Sequence, residues 1–372
     1  MKLIIERAAL LKALAHVQSV VERRNTIPIL SHVLMRAEGA QLALTATDLD
    51  LEIVESVAAE VSVAGAATAA AHTFYDIVRK LPEGSQVEIS AVGDGGALSL
   101  RAGRSSFRLG SLPVDDFPNI TAGELPHSFT LAARDLRAMV DRAGFAVSTE
   151  ETRYYLNGIF LHAAASDGVA TLRAVATDGH RLARVEMPLP EGADGLPGVI
   201  IPRKTVGEVR KLVEDTAEDV RIALSDTKIC FSFDSIVLTS KLIDGTFPDY
   251  ERVIPVDNDK VMEVDSKLFA EAVDRVSTIS SEKSRAVKLS LQDGMLTLSA
   301  TGADNGSATE EIEVGYAAGP LEIGFNSRYL LDITKQIEGE GARFTMADAA
   351  SPTIISDGSD ASALYVLMPM RV

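Results

Sequence analysis

The chain has 372 residues, of which 46% are hydrophobic, 24% charged and 5% aromatic. At about 100–200 residues per domain, this length predicts two or three domains whose cores are mainly aliphatic. The single cysteine, Cys230, excludes an internal disulfide framework and a cysteine-cluster metal site. A net charge of −17 argues against a nucleic-acid partner unless the charge is segregated. Early charges and the lack of an apolar run of about 18 residues predict a cytoplasmic protein without a signal peptide or membrane span.

A helical pattern occurs three times along the chain. The segments 5–17, 131–143 and 264–276 align without a gap, and in each of them apolar residues recur at helical spacing after a short extended stretch. Asp265 and Ser266 are candidate N-cap residues of the third copy. A repeat of this length predicts separate domains rather than a solenoid, because each unit can form its own core.

A strand-end motif follows each helical pattern in the same order. An alternating strand pattern ends on threonine followed by aspartate or glycine, at Thr47-Asp48, Thr177-Asp178 and Thr301-Gly302. The threonines are 130 and 124 residues apart, and a third of the chain is 124 residues. The sequence therefore predicts three similar domains, with boundaries at 1–126, 127–255 and 256–372.

Most of each predicted domain consists of strand patterns with a second helical pattern. Alternating or β-branched runs predict strands at 41–46, 86–90, 97–101, 220–224, 229–233 and 295–300. The additional helices are predicted at 73–81, 203–213 and 327–337. The predicted fold class is therefore α+β, with three repeated sheet-rich domains that each carry two helices.

Charge is distributed unevenly between the helices and the rest of the chain. The six helical windows, 7–24, 72–81, 133–146, 202–215, 266–279 and 327–337, carry +7 together, which leaves −24 on the remaining residues. If these helices line one surface, that surface is basic in a protein whose exterior is acidic. Such segregation suits contact with a nucleic-acid backbone, although lysine and arginine are also common on solvent-exposed helices that bind nothing.

The sequence offers few candidates for catalysis. Glycine-rich nucleotide loops, zinc-protease histidine pairs and the Gly-x-Ser-x-Gly motif do not occur in it. Asp178 and His180 could be combined with a serine into a hydrolase triad, but the same Thr-Asp pair at Thr47-Asp48 has no histidine. The repetition favours a structural turn, and Cys230 in a strand pattern is predicted to be a small core residue.

Several motifs together resemble the bacterial sliding clamps, the beta subunits of DNA polymerase III, along the whole chain. The resemblance implies a non-enzymatic head-to-tail homodimer whose six domains close a ring around duplex DNA without reading its sequence. It also implies that the ring holds the replicative polymerase alpha subunit, the clamp loader, other polymerases and repair proteins through short clamp-binding motifs. The motifs that carry it are Thr26–Leu30, Arg153–Gly158, Ala176–Leu182, Thr239–Leu242 with Phe247–Tyr250, and Tyr365–Arg371.

The same resemblance implies two sets of site residues. DNA contact falls first on Arg24 and then on Arg203 and Lys204. The groove for partner peptides, between the second and third predicted domains, comprises Arg153, Leu156, Thr177, Gly179, His180, Arg181, Leu182, Pro248, Arg252, Val253, Asn326, Tyr329, Val366, Leu367, Met368, Pro369, Met370 and Arg371.

Five positions depart from the family pattern. Ser284 replaces a common groove aromatic, and Pro352 alters the groove rim. His72 and Thr73 replace basic residues at the hole, while Glu150 replaces a neutral amide in a DNA-facing loop. These departures bear on peptide preference and DNA affinity rather than on the class of function.

Two segments are candidates for ring closure. The first predicted domain has a basic edge strand with Arg104, Phe107 and Leu109, and the third has Thr278 and Ile279 beside an acidic run. Head-to-tail contacts close a ring when two different edges complement each other. The alternatives are an interaction scaffold of the same fold that never encircles DNA, or a hydrolase that uses Asp178 and His180.

The last residues of the chain admit two interpretations. The segment 366–372 would by default form a final edge strand. Its methionines, Met368 and Met370, could instead line a partner pocket, because methionine side chains adapt to varied surfaces.

Overall fold

The structure is a computed structural model that describes residues 1–372 except 92–95, 121–122, 167, 215, 217–218, 281–284 and 303–305. Contacts between Cα atoms divide the chain into two compact units. The first unit comprises Met1–Arg137, Glu191–Ala193 and Lys204–Leu242, and the second comprises Ala138–Pro190, Asp194–Arg203 and Ile243–Val372. No helix in the described part of the chain is long and apolar enough to cross a membrane.

The described elements follow the predicted repeat. The first third contains β1 (Lys2–Glu6), α1 (Arg7–Gln18), β2 (His32–Glu38), β3 (Gln41–Thr47), β4 (Leu51–Ala58), β5 (Glu60–Val63), β6 (Gly65–Ala70), α2 (Ala71–Lys80), β7 (Gln86–Ala91), β8 (Ala97–Ala102) and β9 (Ser105–Gly110). The second contains β10 (His127–Ala132), α3 (Ala133–Gly144), β11 (Gly158–Ser166), β12 (Val169–Thr177), β13 (Arg181–Pro188), β14 (Val199–Pro202), α4 (Arg203–Glu214), β15 (Asp219–Leu224), β16 (Lys228–Phe233) and β17 (Ile236–Lys241). The third contains β18 (Lys260–Asp265), α5 (Ser266–Ser277), β19 (Ala286–Gln292), β20 (Met295–Gly302), β21 (Gly306–Glu313), β22 (Gly315–Tyr316), β23 (Leu321–Asn326), α6 (Ser327–Thr334), β24 (Gly341–Met346), β25 (Thr353–Asp357) and β26 (Ala363–Leu367). Short 3-10 helices lie at Pro28–Ser31, Val114–Asp116, Glu151–Leu156 and Tyr250–Val253.

The first unit contains two antiparallel sheets. One has the strand order β5-β1-β7-β8-β9, and the other has the order β10-β15-β16-β17-β4-β3-β2-β6. Helix α1 buries Leu10, Ala13, Leu14 and Val17, which recur at the spacing that the sequence predicts for one helical face. Because β17 pairs with β4, strands from the first and second thirds of the chain share one sheet.

The second unit also contains two antiparallel sheets. Their strand orders are β14-β11-β12-β13-β26-β25-β24-β18-β22 and β21-β20-β19-β23. Helix α5 begins at a side-chain cap, because the Asp265 carboxylate accepts the N–H of Leu268 at 2.7 Å. Since β13 pairs with β26, the second and third parts of the chain are joined here by a continuous sheet.

The predicted fold class and the predicted elements are confirmed, with ends that differ by a few residues at most. The default interpretation of the C-terminal segment as an edge strand is wrong. Strand β26 lies inside its sheet, hydrogen-bonded to β13 on one side and to β25 on the other. Three consecutive residues of this strand, Tyr365, Val366 and Leu367, are hydrophobic because both of its faces are buried.

Gly158 at the start of β11 has no room for a side chain. A Cβ atom there would overlap the carbonyl oxygen of Ile201 on the paired strand β14. We expect Gly158→Ala to lower the free energy of unfolding by about 1–3 kcal/mol, because the obstacle is backbone and cannot rotate away. Gly341→Ala is the matched control, since nothing lies within 4 Å of its Cβ position. Equal urea midpoints for the two variants would contradict this prediction.

Candidate functional site

The Thr-Asp motif forms the same turn in two of its copies. Thr177 Oγ1 donates to the carbonyl of Arg181 at 2.7 Å and accepts the N–H of Gly179 at 3.0 Å. Asp178 Oδ1 accepts the N–H groups of His180 and Arg181 at 2.9 and 3.0 Å. The carboxylate of Asp178 therefore stabilises the turn in which it lies. Within the described residues, it forms no hydrogen bond with the imidazole ring of His180.

The turn after β3 repeats these bonds. Thr47 Oγ1 donates to the carbonyl of Leu51 at 2.9 Å, and Asp48 Oδ1 accepts the N–H of Leu51 at 2.8 Å. The third residue of the turn has a positive φ in both copies, +79° at Leu49 and +88° at Gly179. The structural interpretation of the motif is thus confirmed, and the only feature that suggested a catalytic triad is accounted for by turn geometry.

Arg181 connects the turn to helix α6. Its guanidinium donates to Asp178 at 3.1 Å, to Asp332 at 2.7 Å and to the carbonyl of Phe145 at 2.8 Å. The same group lies 4.4 Å from the ring centroid of Tyr329 and 5.0 Å from that of Phe145. A cation held by two carboxylates and two rings orients the neighbouring backbone rather than remaining available to a ligand.

An apolar pocket of about 250 Å³ opens beside this turn. The Thr177–Arg181 turn forms one side of the pocket, and the 3-10 helix Tyr250–Val253 with its preceding loop forms another. Strand β26 and Met368 form the remaining wall. The lining residues are Leu156, Thr177, Gly179, His180, Arg181, Leu182, Pro248, Asp249, Tyr250, Val253, Val366 and Met368. Leu156, Leu182, Tyr250 and Val366 also belong to one buried cluster, which gives the pocket a rigid floor.

The remaining predicted groove residues lie around the pocket rather than in its lining. Arg153 packs on Gly179, and Tyr329 stacks on His180 with ring centroids 6.3 Å apart. Asn326 caps α6 by accepting the N–H of Arg328. Arg252 forms an ion pair with Asp249, and its side chain is 84% exposed. Pro369 is half-buried. Met370 and Arg371, together with Val372, line a second pocket of about 820 Å³.

Leu367 faces away from the pocket. It is completely buried, whereas its neighbours Val366 and Met368 contribute to the lining. The alternation of side chains along a strand explains the difference, because consecutive residues of β26 point to opposite faces. The family resemblance named the whole segment and did not separate the two faces.

The departures from the family pattern have local partners where the structure describes them. Glu150 forms a double hydrogen bond with Arg153, with contacts of 2.8 Å, which lowers the pKa of its carboxyl group. His72 contacts Gln18 Oε1 at 2.7 Å and the carbonyl of Val21 at 3.0 Å, and Thr73 is exposed. The carbonyl of Pro352 accepts from Asn258 at 3.0 Å, and Ser284 lies outside the described residues.

The three predicted DNA contacts differ in their availability. Arg24, in the loop after α1, and Arg203, at the start of α4, are exposed, and neither has an ion pair within the described part of the chain. Lys204 instead donates to the carbonyl of Val20 at 3.1 Å and to the carboxylates of Glu22 and Asp48. Burial lowers the pKa of the ammonium group, but the hydrogen bonds and charges of Asp48 and Glu22 together outweigh burial and raise it. Lys204 therefore serves the internal structure of the first unit.

The two predicted closure edges are both terminal strands of their sheets. Strand β9 ends the first sheet, with Phe107 and Leu109 on one face and Arg104 exposed beside them. Strand β21 ends the sheet of the second unit, next to Thr278 and Ile279 at the end of α5. Arg275 donates to Glu310 at 2.6 and 3.1 Å and so fixes α5 to this edge.

Sequence reasoning missed Asp249 and Tyr250 as pocket residues. The signal was present, because both belong to the motif Phe247–Tyr250 that contributed to the resemblance. What the sequence did not reveal is that Tyr250 turns its ring into the buried cluster. Within the described ranges, no group of three or more histidine, cysteine or acidic side chains could hold a metal ion.

Comparisons with known proteins agree with this geometry. Models of the N-terminal, central and C-terminal domains of the DNA polymerase III beta subunit match residues 1–121, 130–249 and 251–371. The chain is 56% identical to the beta sliding clamp of Caulobacter vibrioides over 372 residues, which is the full length of both proteins. It is 36% identical to that of Escherichia coli K12 over 375 residues, again with 100% of both chains covered.

Solved structures show the same similarity. The structure of the C. crescentus beta sliding clamp superimposes with a TM-score of 0.98 at 56% identity, covering 100% of this chain and 99% of that one. The Bartonella birtlesii sliding clamp bound to griselimycin gives a TM-score of 0.97 at 52% identity, with both chains fully covered. The full coverage extends the similarity to every repeat of the chain.

Proposed function

Because the chain belongs to the family of DNA polymerase III beta subunits, we propose that it is a sliding clamp. Two copies join head to tail, encircle duplex DNA and hold the replicative polymerase for processive synthesis. The protein acts in the bacterial cytoplasm, where the chromosome lies, and it contributes no chemistry of its own. The three repeated domains are taken as 1–126, 127–255 and 256–372.

The two terminal strands β9 and β21 are the observation that carries this proposal. They belong to different sheets, and their charges are opposite: Arg104 directly precedes β9 and Arg108 lies in it, whereas Glu311 and Glu313 lie in β21. Two different, complementary edges permit a head-to-tail contact, and a rotation that closes turns such contacts into a ring. Pairing also removes the exposed edges, which otherwise invite aggregation.

The pocket beside the Thr177–Arg181 turn is the proposed partner site. Its apolar lining suits short, mostly hydrophobic motifs from the polymerase alpha subunit, the clamp loader, other polymerases and repair proteins. Filling it at about 25 cal/mol per Å² of apolar surface allows micromolar binding after entropy losses. Such modest affinity permits partners to exchange on one ring.

The decisive experiment separates topological from direct binding. The protein is loaded by a clamp loader and ATP onto nicked circular DNA, the complex is isolated by gel filtration, and the circle is then cut once. A ring slides off the free ends, so the protein should leave the DNA fraction after cutting. A scaffold that never encircles DNA fails to load, and retention on the linear product at moderate salt would contradict the proposal.

Arg24 is the DNA contact to test first, because it follows Arg23 in the loop after α1, is exposed and, like Arg203, forms no ion pair within the described part of the chain. We expect Arg24→Glu to weaken loader-independent DNA binding by about three- to tenfold at low salt, since one phosphate contact becomes a repulsion. Arg36→Glu, on strand β2, is the control with the same change of charge at an exposed position. A fluorescence anisotropy titration with duplex DNA measures both. Equal losses of DNA affinity in the two variants would contradict the assignment of Arg24 as a contact, because the effect would then depend only on the net charge of the protein.

A further inference from the structure

A chain of polar groups lies behind the pocket wall. The hydroxyl group of Tyr250, a residue that lines the pocket, is 3.0 Å from His162 Nε2 and 3.1 Å from Arg173 Nη1. Arg173 is 4% exposed and also donates to Glu186 at 2.8 Å and to Glu251 at 2.7 Å. The phenol is therefore held between a buried cation and an imidazole.

The surroundings fix the direction of these hydrogen bonds. His162 Nδ1 lies 2.9 Å from the carbonyl oxygen of Ala163, which can only accept, so Nδ1 carries the proton. Burial lowers the pKa of His162 and outweighs the bond to Ala163, which raises it; the charge of Arg173 lowers the pKa as well, so the neutral ring is favoured. Nε2 is then an acceptor, and the Tyr250 hydroxyl must donate to it while its oxygen accepts from Arg173. The hydrogen bonds therefore follow one order: Arg173 donates to Tyr250, Tyr250 donates to His162, and His162 donates to the carbonyl of Ala163. Each of these groups has a hydrogen-bond partner.

The same imidazole supports a second part of the pocket wall. Phe160 stacks on His162 with centroids 4.6 Å apart and on Phe247 with centroids 4.8 Å apart and planes 6° from parallel. Phe247 immediately precedes the pocket residue Pro248. Phe160 is itself held from behind, because a Cβ atom at Gly198 would lie 2.8 Å from its ring. His162 thus contacts Tyr250 directly and reaches Phe247 through the ring of Phe160.

We propose that His162 is a positioning residue of the partner pocket, which fixes the Phe247–Tyr250 wall by accepting the Tyr250 hydroxyl and stacking on Phe160. This role rests on the proposed function of the pocket. His162 does not line the pocket, so it acts through Tyr250 rather than by touching the peptide. Preorganising the wall lowers the ordering cost that a bound peptide otherwise meets.

The test compares substitutions that keep or remove the acceptor. The probe is a synthetic peptide that copies the clamp-binding segment of the polymerase alpha subunit from the same genome, titrated by calorimetry. We expect His162→Leu and Tyr250→Phe each to weaken peptide binding by about five- to tenfold. His162→Gln offers an amide oxygen to the same hydroxyl and should stay within about twofold of the parent.

Non-additivity gives a readout that general destabilisation would not produce. Because both residues act through one hydrogen bond, the double variant His162→Leu with Tyr250→Phe should bind no more weakly than the weaker-binding of the two single variants. His127→Leu, on β10 in the first unit, controls for loss of a histidine. The conservative Tyr250→Phe change keeps the test open if His162→Leu fails to fold.

Three outcomes would overturn the role of His162. They are unchanged affinity in His162→Leu, equal losses in His162→Leu and His162→Gln, and fully additive effects in the double variant. A parent protein that does not bind the peptide overturns the proposed function, and this role with it. Normal binding by the parent together with any of the three outcomes overturns only the role of His162.

Discussion

We expect Ile279→Asp to turn the proposed dimer into a folded monomer. Ile279 is half-buried at the end of α5, next to the acidic terminal strand β21. An aspartate there would have to bury its charge in an apolar contact beside the carboxylates of Glu310 and Glu311, which disfavours the contact with the partner copy. A cost of about 3 kcal/mol or more corresponds to about a hundredfold weaker dimer, and sedimentation velocity at micromolar concentration measures the shift.

Two further variants test whether Ile279→Asp dissociates the dimer by disrupting this edge. Leu268→Asp places the same change at an exposed position on the same helix and should leave the dimer intact. Phe107→Asp alters the opposite edge, β9, and should dissociate the dimer as Ile279→Asp does. Both edge variants should also fail to remain on circular DNA, because an open ring is not held by topology. A persistent dimer in Ile279→Asp would show that a different surface closes the ring.

Removing Met368–Val372 should abolish partner binding and leave most of the fold intact. Met368 lines the pocket, and its N–H donates to the carbonyl of His180 at 2.9 Å, so the deletion opens one wall. Strand β26 ends at Leu367 and keeps both of its neighbours. The bonds lost include those of Met368 and Met370, worth about 1 kcal/mol each, so the melting temperature should fall by only a few degrees.

Peptide titration and melting curves are measured in parallel on the truncated protein. We expect peptide affinity to fall by about a hundredfold or more, since an apolar wall is lost from a small pocket. Deleting Val372 alone is the control, because this exposed residue does not line the pocket and Met368 stays in place. Full affinity in the five-residue truncation would remove the C-terminal segment from the site. Joint collapse of affinity and stability would instead indicate a purely structural segment.

The sequence by itself determined the local structure and the repeat. Helical spacing in segments such as 264–276, the cap at Asp265 and the strand-end turn at Thr177 depend on contacts within a few residues, and such contacts follow from local chemistry. The repeated Thr-Asp pair also distinguished a turn from a catalytic site, because only one of its two copies is followed by a histidine. The resemblance then named most residues of the pocket, because its motifs are local segments.

Only the tertiary structure decided which of those residues share a surface. The resemblance named Lys204 as a DNA contact together with Arg203, yet its ammonium group pairs with Asp48, 156 positions away in sequence. Leu367 and Val366 are adjacent in sequence but lie on opposite faces of β26. This strand is interior because β13, from a distant part of the chain, pairs with the side that the preceding strand β25 leaves open. The bond from Tyr250 to His162 joins residues 88 positions apart. Such contacts depend on how segments that are distant in sequence pair and pack in the folded chain, and no periodicity within a single segment encodes them.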